Sequence, residues 1–335
     1  MSRGTAEGGL LRFWPWLFAA GFAALPWLTT DRYLLDLVVL FFVWSLVVTH
    51  WNLVLGQAGI FSLVQFAIFN LGGYFTAVVG THLGIGPAWS FVPAGVFCAI
   101  FGFLVGLTCL RLRGPYVALL TLATHSVVML LISADTSGFT GGGYGLYGFG
   151  DYGFRDLFGS FGKLVAHYYF ALILLIAACY VAIRVMKSPL GLAFRALRDS
   201  EGYAGAVGIS RFRYQLTVFT LTSFFIGLAG SFYGTHLGLV DPAGFDFGVL
   251  MLLLAMIVVG GTGSRWGPIL GCALLMVMNE FLRDIPQWRD MAIGATLIVF
   301  LLAWPRGLAD ALARLFVRIS RSRDPSSERP EAFRS

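Results

Sequence analysis

Runs of about twenty apolar residues recur along this chain, and a backbone threaded through hydrocarbon has few folds open to it. The runs lie at 10–28, 34–55, 56–80, 88–110, 115–134, 168–185, 214–237, 248–261, 267–282 and 291–304. Without water to pair amides, each run has to close its own hydrogen bonds as a helix. The expected class is therefore an all-α integral membrane protein, a polytopic bundle of about ten transmembrane helices with broken or short segments around a central path. The run at 56–80 is irregular in its first half, and the one at 248–261 is short for the roughly 20 residues a crossing needs. Composition agrees: 58% of residues are hydrophobic and 12% charged, where a soluble domain carries about 25% charged. The first run has Arg3 before it, Arg12 at its start, and Trp14, Trp16 and Trp27 as interface anchors of a retained helix rather than a cleaved leader.

Orientation follows from lysine and arginine bookkeeping. With the N-terminus inside and strict alternation, inner segments carry 18 of the 23 basic residues and outer segments only Arg32, Arg155, Lys163, Arg283 and Arg289. Both termini are then cytoplasmic. The domain division is a transmembrane part at 1–305 and a basic, partly disordered cytoplasmic tail at 306–335, suited to anionic lipid. The net charge of +6 sits in loops between spans and forms no basic face, so nucleic acid is not an expected partner. Cys98, Cys109, Cys179 and Cys272 are isolated in apolar runs with no metal spacing.

One inner interval, 188–213, has helical order of its own. Ser188 and Pro189 read as N-cap and first helical residue. Leu190, Phe194 and Leu197 share a face, Arg195 and Asp199 form an i,i+4 pair, Gly202 interrupts, and Gly208 closes a second short helix. A mere linker needs no such pattern; this one is built to be held by something. The outer loop at 135–167 is glycine-rich but holds too many aromatics for a solvated linker. Thr140, Gly141, Gly142 and Gly143 can present consecutive amides to an anion, and the aromatics suit a docking surface for an external partner.

Polar residues inside apolar runs are expensive and draw a functional reading. Asn52, Gln57, Ser62, Gln65 and Asn70 concentrate around the third run. Asn52, Gly56, Gly59 and Ser62 recur every three or four residues, as a small and polar stripe of one helical face. Helix packing through small residues competes with a path lined by amides and broken backbone. Gly260, Gly261 and Gly263 mark a second irregular point before Gly267-Pro268, as transporters arrange around a central path. His125 and Glu280 read as packing residues. No zinc, serine-nucleophile or G-x-x-x-x-G-K-[ST] phosphate loop occurs, so the chain is not expected to be an enzyme or to split ATP by itself.

Five segments together carry a resemblance. NLVLGQAGIFSLVQFAIFNLGGYFTAV from Asn52, LRLRGPYVALLTLA from Leu110, TGGGYGL from Thr140, SPLGLAFRALRDSEGYAGAVGI from Ser188 and VVGGTGSRWGPILG from Val258 keep their order and spacing. The set is similar to the branched-chain amino acid ABC transporter permeases, and within them to the LivM-like subunit. The resemblance implies a heterodimer with a LivH-like permease, two ATP-binding cassette ATPases using ATP and magnesium (no cofactor in this chain), and a periplasmic solute-binding protein, all at the bacterial inner membrane.

Carried over residue by residue, Ser188, Pro189, Gly191, Phe194, Arg195, Ala196, Arg198, Ala204 and Gly208 would be the coupling helix to the ATPase. Asn52, Gly56, Gln57, Gly59, Ser62, Gly260, Gly261 and Gly263 would border the path. Thr140, Gly141, Gly142, Tyr144 and Gly145 would form the periplasmic loop. Gly143-Tyr144 and Thr124-His125-Ser126 depart from the family's usual residues, which leaves urea, amides or aromatic acids beside branched-chain amino acids as cargo. The competing class is a stand-alone channel or carrier for a small polar solute such as urea or an amide.

Overall fold

The computed structural model describes residues 20–112, 114–283, 286–303 and 307–310. After a helical segment at 20–28 (α1), the helices are α2 (Arg32–Asn52), α3 (Val64–Leu83), α4 (Pro87–Cys109), α5 (Pro115–Ser133), α6 (Phe154–Lys187), α7 (Pro189–Asp199), α8 (Glu201–Ala206), α9 (Arg211–Leu237), α10 (Phe247–Gly260), α11 (Gly267–Phe281) and α12 (Pro286–Ala303). Two short strands, β1 (Leu146–Tyr147) and β2 (Leu239–Val240), pair antiparallel. The expected tryptophans at 14 and 16 and the tail beyond 310 lie outside the described residues.

Among the described residues six helices are long and apolar enough to cross a membrane: Arg32–Gln57, Val64–Leu83, Pro87–Cys109, Pro115–Ser133, Phe161–Lys187 and Arg211–Leu237. Helices α10 and α11 are apolar but only 14 and 15 residues long. At 1.5 Å per residue they rise about 21 and 22 Å, less than the ~30 Å hydrocarbon core. The two pack side by side, and a methyl added at Gly260 or Gly271 would run into the backbone of the other helix.

Helix α9 runs through the middle of the bundle between α3 and α4. Small residues let these backbones touch, as helix association in lipid requires. A methyl at Gly72 would strike the Gly227 carbonyl, one at Gly230 the Phe69 carbonyl, and one at Gly102 the Ser223 side chain. Thr76 and Ser231 hydroxyls meet across α3 and α9 at 2.6 Å. Phe42, Trp51, Phe66, Phe69 and Tyr168 fill the space around this centre and are fully buried. The outward residues of α4 and α5, among them Trp89, Leu104, Leu119 and Leu130, are large, apolar and exposed, as a surface facing lipid or another membrane helix should be.

Two boundaries differ from the sequence reading. The helix of the second run ends at Asn52, widens through a π-turn at Leu53–Gln57 and leaves 58–63 non-helical before α3. Gly59 takes φ +69°, a conformation that halts a right-handed helix and suits glycine. Asn52, Gly56, Gly59 and Ser62 therefore do not form one face of a helix; they line a break. Further on, α6 begins at Phe154, with a kink at Gly159, so much of the loop expected to reach 167 is helix.

Candidate functional site

The break between α2 and α3 is held against the turn between α10 and α11. Asn52 does most of this: its Nδ2 donates to the Ser264 carbonyl at 3.0 Å, and its Oδ1 accepts from the Gly263 amide at 2.8 Å. Gln57 Nε2 donates to the Gly263 carbonyl. A methyl on Gly56 would overlap the Gly263 backbone and the Asn52 side chain, so only hydrogen fits there. Ser264 shapes the second turn by accepting from the Gly267 amide and donating to the Gly261 carbonyl, both at 2.9 Å. On the other flank Trp51 Nε1 donates to the Ser62 carbonyl at 2.8 Å, and the Leu63 amide donates to Thr121 Oγ1 on α5 at 3.0 Å.

Arg198, near the end of α7, closes the arrangement. Its Nη1 donates to the Gly56 carbonyl at 2.7 Å while Nη2 pairs with Asp199 at 3.0 Å. The stem of Arg198 lies where a Gly59 side chain would be, and its Nη1 stands close to Gly263. One guanidinium thus touches both broken segments, and opening either break changes its surroundings.

Several buried polar atoms beside the break lack a partner. Gln65 is fully buried with neither amide atom hydrogen-bonded, and Gln57 Oε1 and Ser62 Oγ are likewise unpaired. An unpaired buried amide or hydroxyl costs about 1–3 kcal/mol. Retaining several in one place supplies hydrogen-bonding capacity that a polar solute or water can use.

The α7–α8 hairpin is anchored by apolar contacts. Phe194 is buried with its ring edge-on to Tyr214, and Gly191 sits under the last carbonyls of α6, where a methyl would clash. Leu192, Tyr203 and Val207 are left exposed, as is Phe212 at the start of α9. Three local details depart from the sequence reading. Ser188 Oγ donates back to the Val185 carbonyl and caps nothing in α7. Asp199 pairs with Arg198, while Arg195 Nε returns to the Gly191 carbonyl. The interruption is at Ser200, extended at φ −160°, and Gly202 lies inside α8. Gly208 does sit just past α8 at φ +82°, next to the 2.9 Å bond from the Ile209 amide to the Ala204 carbonyl. Arg195 and Ala196 lie on the same helix as Arg198 but make no contact with the break among the bonds described.

The residues Thr140 to Gly145 are not near this site. They lie by the far end of α9, whose 27 residues span about 40 Å. There the chain's own Asp135 takes the first amide of the glycine run: Thr140 N and Oγ1 donate to Oδ2 at 2.6 and 2.8 Å, and Ser137 donates twice to Oδ1. Gly145 packs on the Val240 carbonyl beside the β1–β2 pair, while the Tyr144 ring is exposed. The Ser137 hydroxyl and the Thr140 amide and hydroxyl hold the Asp135 carboxyl well below the usual carboxylate range. A depressed folded pKa contributes order that is full above the unfolded value of about 3.9 and is lost as pH falls through the folded one. Limited proteolysis of this loop is therefore expected to be flat from about pH 5 upward. Asp135→Asn is expected to speed cleavage between Ser137 and Gly145 at neutral pH; an unchanged cleavage rate would remove Asp135 as the loop's organiser.

A hydrogen-bonded chain ties three helices together at that same end, with Asp36 on α2, His236 on α9 and His167 on α6 in sequence. His236 Nε2 meets Asp36 Oδ1 at 2.8 Å and its Nδ1 meets His167 Nδ1 at 2.9 Å. Spacing in the sequence gave no sign of it, because the three residues are far apart in the chain. Ser264 had a legible signal in retrospect, a serine three residues before the glycine that opens α11. His125 packs as expected, bonded to the Phe245 carbonyl at 3.1 Å and stacked on Phe66. Glu280 is paired with Tyr33 and with Arg283. Among the described residues no group of three His, Cys, Asp or Glu is placed to hold a metal ion.

Broken helices clasped through backbone carbonyls inside a helical, apolar bundle define a multi-pass membrane protein of transporter type. The chain belongs to the family described as branched-chain amino acid transport system, permease component, whose model matches residues 33–301. It is 31% identical over 300 residues to the high-affinity branched-chain amino acid transport system permease protein LivM of Escherichia coli K12, covering 83% of this chain and 70% of that protein. The Salmonella typhimurium protein of the same name is 30% identical over 325 residues, covering 90% of this chain and 76% of the relative. A probable branched-chain amino acid transport permease LivM of Methanocaldococcus jannaschii is 23% identical over 283 residues, 75% of this chain and 80% of that one. No solved structure matches the chain.

Proposed function

We propose that this chain is one of two permease subunits of a binding-protein-dependent ABC importer for branched-chain amino acids at the bacterial inner membrane. It pairs with a LivH-like permease to form the path. Two ATPases bind and hydrolyse magnesium-ATP, one of them docking on the α7–α8 hairpin of this chain, and a periplasmic solute-binding protein docks on the loop from Asp135 to Gly153. The names of the relatives support the cargo. The hairpin supports the docking: Leu192, Tyr203 and Val207 are exposed on or just after it, with Phe212 exposed at the start of α9, next to basic side chains.

The observation that carries the reading is the bond from Arg198 to the Gly56 carbonyl. It joins the element an ATPase would grip to the two breaks that border the path. Closure of the ATPase dimer on ATP moves α7 as a rigid body. Arg198 then draws on Gly56, the contacts of Asn52 and Gln57 with Gly263 rearrange, and the path opens to the other side. The unpaired atoms of Gln57, Ser62 and Gln65 meet the solute's polar groups as it passes.

Orientation is consistent with this. The breaks, the hairpin and the α4–α5 connection meet at one end, through Arg198 to Gly56 and Arg211 to the Leu112 carbonyl at 2.7 Å. Arg111, Arg184, Lys187, Arg195, Arg213 and Arg265 belong to these connections, which makes that end cytoplasmic by the positive-inside rule. Both termini are then cytoplasmic and the chain crosses ten times, α10 and α11 being shortened crossings whose mutual turn reaches into the protein at Gly263.

The test is reconstitution. The chain, its partner permease and the ATPases in liposomes are expected to take up leucine only with ATP inside and binding protein outside. Uptake of leucine or urea by this chain alone, independent of ATP, would replace the reading with a stand-alone channel or carrier.

A further inference from the structure

A cavity of about 550 Å³ opens at the hairpin end, between the α2–α3 break, the first turn of α5, α7 and the start of α9. It is within the 300–1,000 Å³ usual for small-molecule sites. Its walls are of two kinds. Ile60, Val117 and Leu197 are apolar, whereas Arg198, Glu201, Arg211 and Gln215 bring two positive charges, one negative charge and an amide. Arg211 is held in place by Glu201 at 3.2 Å and by Gln215 Oε1 at 3.1 Å. Gln215 is 4% exposed, and its Nε2 has no hydrogen-bond partner.

We propose that this cavity is a cytoplasmic binding site for a small apolar α-amino acid, the transported product, and that its occupancy slows further import. The inference rests on the transport reading above. A buried amide donor beside two guanidinium groups asks for a carboxylate. Glu201, which pairs with Arg211, can share its charge with an ammonium, and the apolar wall accepts an aliphatic side chain. Inorganic phosphate or a phosphatidylglycerol head group would use the arginines but neither Glu201 nor the apolar wall. The placement gives the consequence. A ligand here bridges α7 to the break it pulls on, so it binds best to the arrangement in which Arg198 holds Gly56, and by linkage it resists leaving that arrangement.

The complete transporter in lipid nanodiscs, without binding protein, tests this with radiolabelled leucine. The parent is expected to bind leucine at millimolar concentration or below. Gln215→Leu, which removes the amide, and Ala118→Leu, which fills the cavity from α5, are each expected to weaken binding about tenfold. Inorganic phosphate at the same concentration and nanodiscs enriched in anionic lipid should not displace it. In liposomes, leucine trapped inside should slow initial uptake by the parent, and Ala118→Leu should lift that inhibition while importing at the parent's rate into leucine-free vesicles. No leucine binding, equal binding by both variants, displacement by phosphate or anionic lipid, or no effect of internal leucine each overturns the proposal. Failure of uptake into empty vesicles by the parent strikes the transport reading instead, and the nanodisc measurement separates the two.

Discussion

Replacing Arg198 by alanine in the assembled transporter is expected to cut leucine uptake about ten- to a hundredfold while ATP hydrolysis continues. The lost bond joins a charged donor to a carbonyl, an interaction worth ~1.5–3 kcal/mol, and each ~1.4 kcal/mol is a factor of ten. The hairpin itself should survive, because Phe194, Gly191 and Ala204 anchor it without help from the guanidinium. Arg195→Ala is the matched control. Its Nε bonds only within α7, to Gly191 at 3.2 Å, so uptake should change by no more than about threefold. Arg198→Lys keeps the charge but not the forked donors, and should fall between. Measured together, uptake and ATPase rates decide the matter. Equal losses in the two alanine variants, or a parallel fall of hydrolysis and uptake in Arg198→Ala, would reduce the arginine to part of a docking surface.

Gly56→Val is expected to be more severe, giving little assembled complex and no uptake. Its side chain would have to enter space held by the Gly263 backbone and Asn52. Overpacking a well-filled interior costs about 1–3 kcal/mol where side chains can give way, and here backbone blocks it. Both bonds from Asn52 and that from Gln57 would open at once. Gly86→Ala serves as the comparison, since nothing lies within 4 Å of the added methyl. Fluorescence-detected size exclusion across a temperature ramp reads the difference, expected as a loss of the monodisperse peak in Gly56→Val and an unshifted midpoint in Gly86→Ala. A folded, stable Gly56→Val protein would mean the two broken segments are not clasped in the working transporter.

Much of this was legible from residues because the bilayer leaves so little choice. Long apolar runs are enough to place α2, α4, α5 and α9 to within a few residues, and glycine interruptions mark the two breaks, whereas α3 starts eight residues later than its apolar run. The irregularity at 56–80 was visible as amides and glycines where lipid-facing residues belong. Its geometry was not, because Asn52, Gly56, Gly59 and Ser62 fit a helical period as well as a broken backbone. Only the partner some 200 residues away, Gly263, separates the two. The interval at 188–213 showed the same limit. Its existence and its Gly208 stop follow from local chemistry, whereas the choice between Arg195 and Arg198 depends on which reaches Gly56. Local rules placed Ser188 correctly as the N-cap of α7 but not the bond of its hydroxyl, and they misassigned the partner of Asp199, since each had a nearer acceptor or donor than the one its spacing suggested. The chain from Asp36 through His236 to His167 joins three helices and has no local signature at all.

The two-residue ribbon of β1 and β2 has a mechanical consequence. It fastens the glycine-rich loop to the stretch that leads from α9 into α10, so that loop does not hang free of the bundle. From there α10 runs as an unbroken 14-residue helix to Gly260, one step from the turn that Asn52 and Gln57 grip. A helix of that length behaves as a strut. That turn is held through Gly263, which stands against both Gly56 and the Arg198 guanidinium, so the loop at one end and α7 at the other meet the same contact.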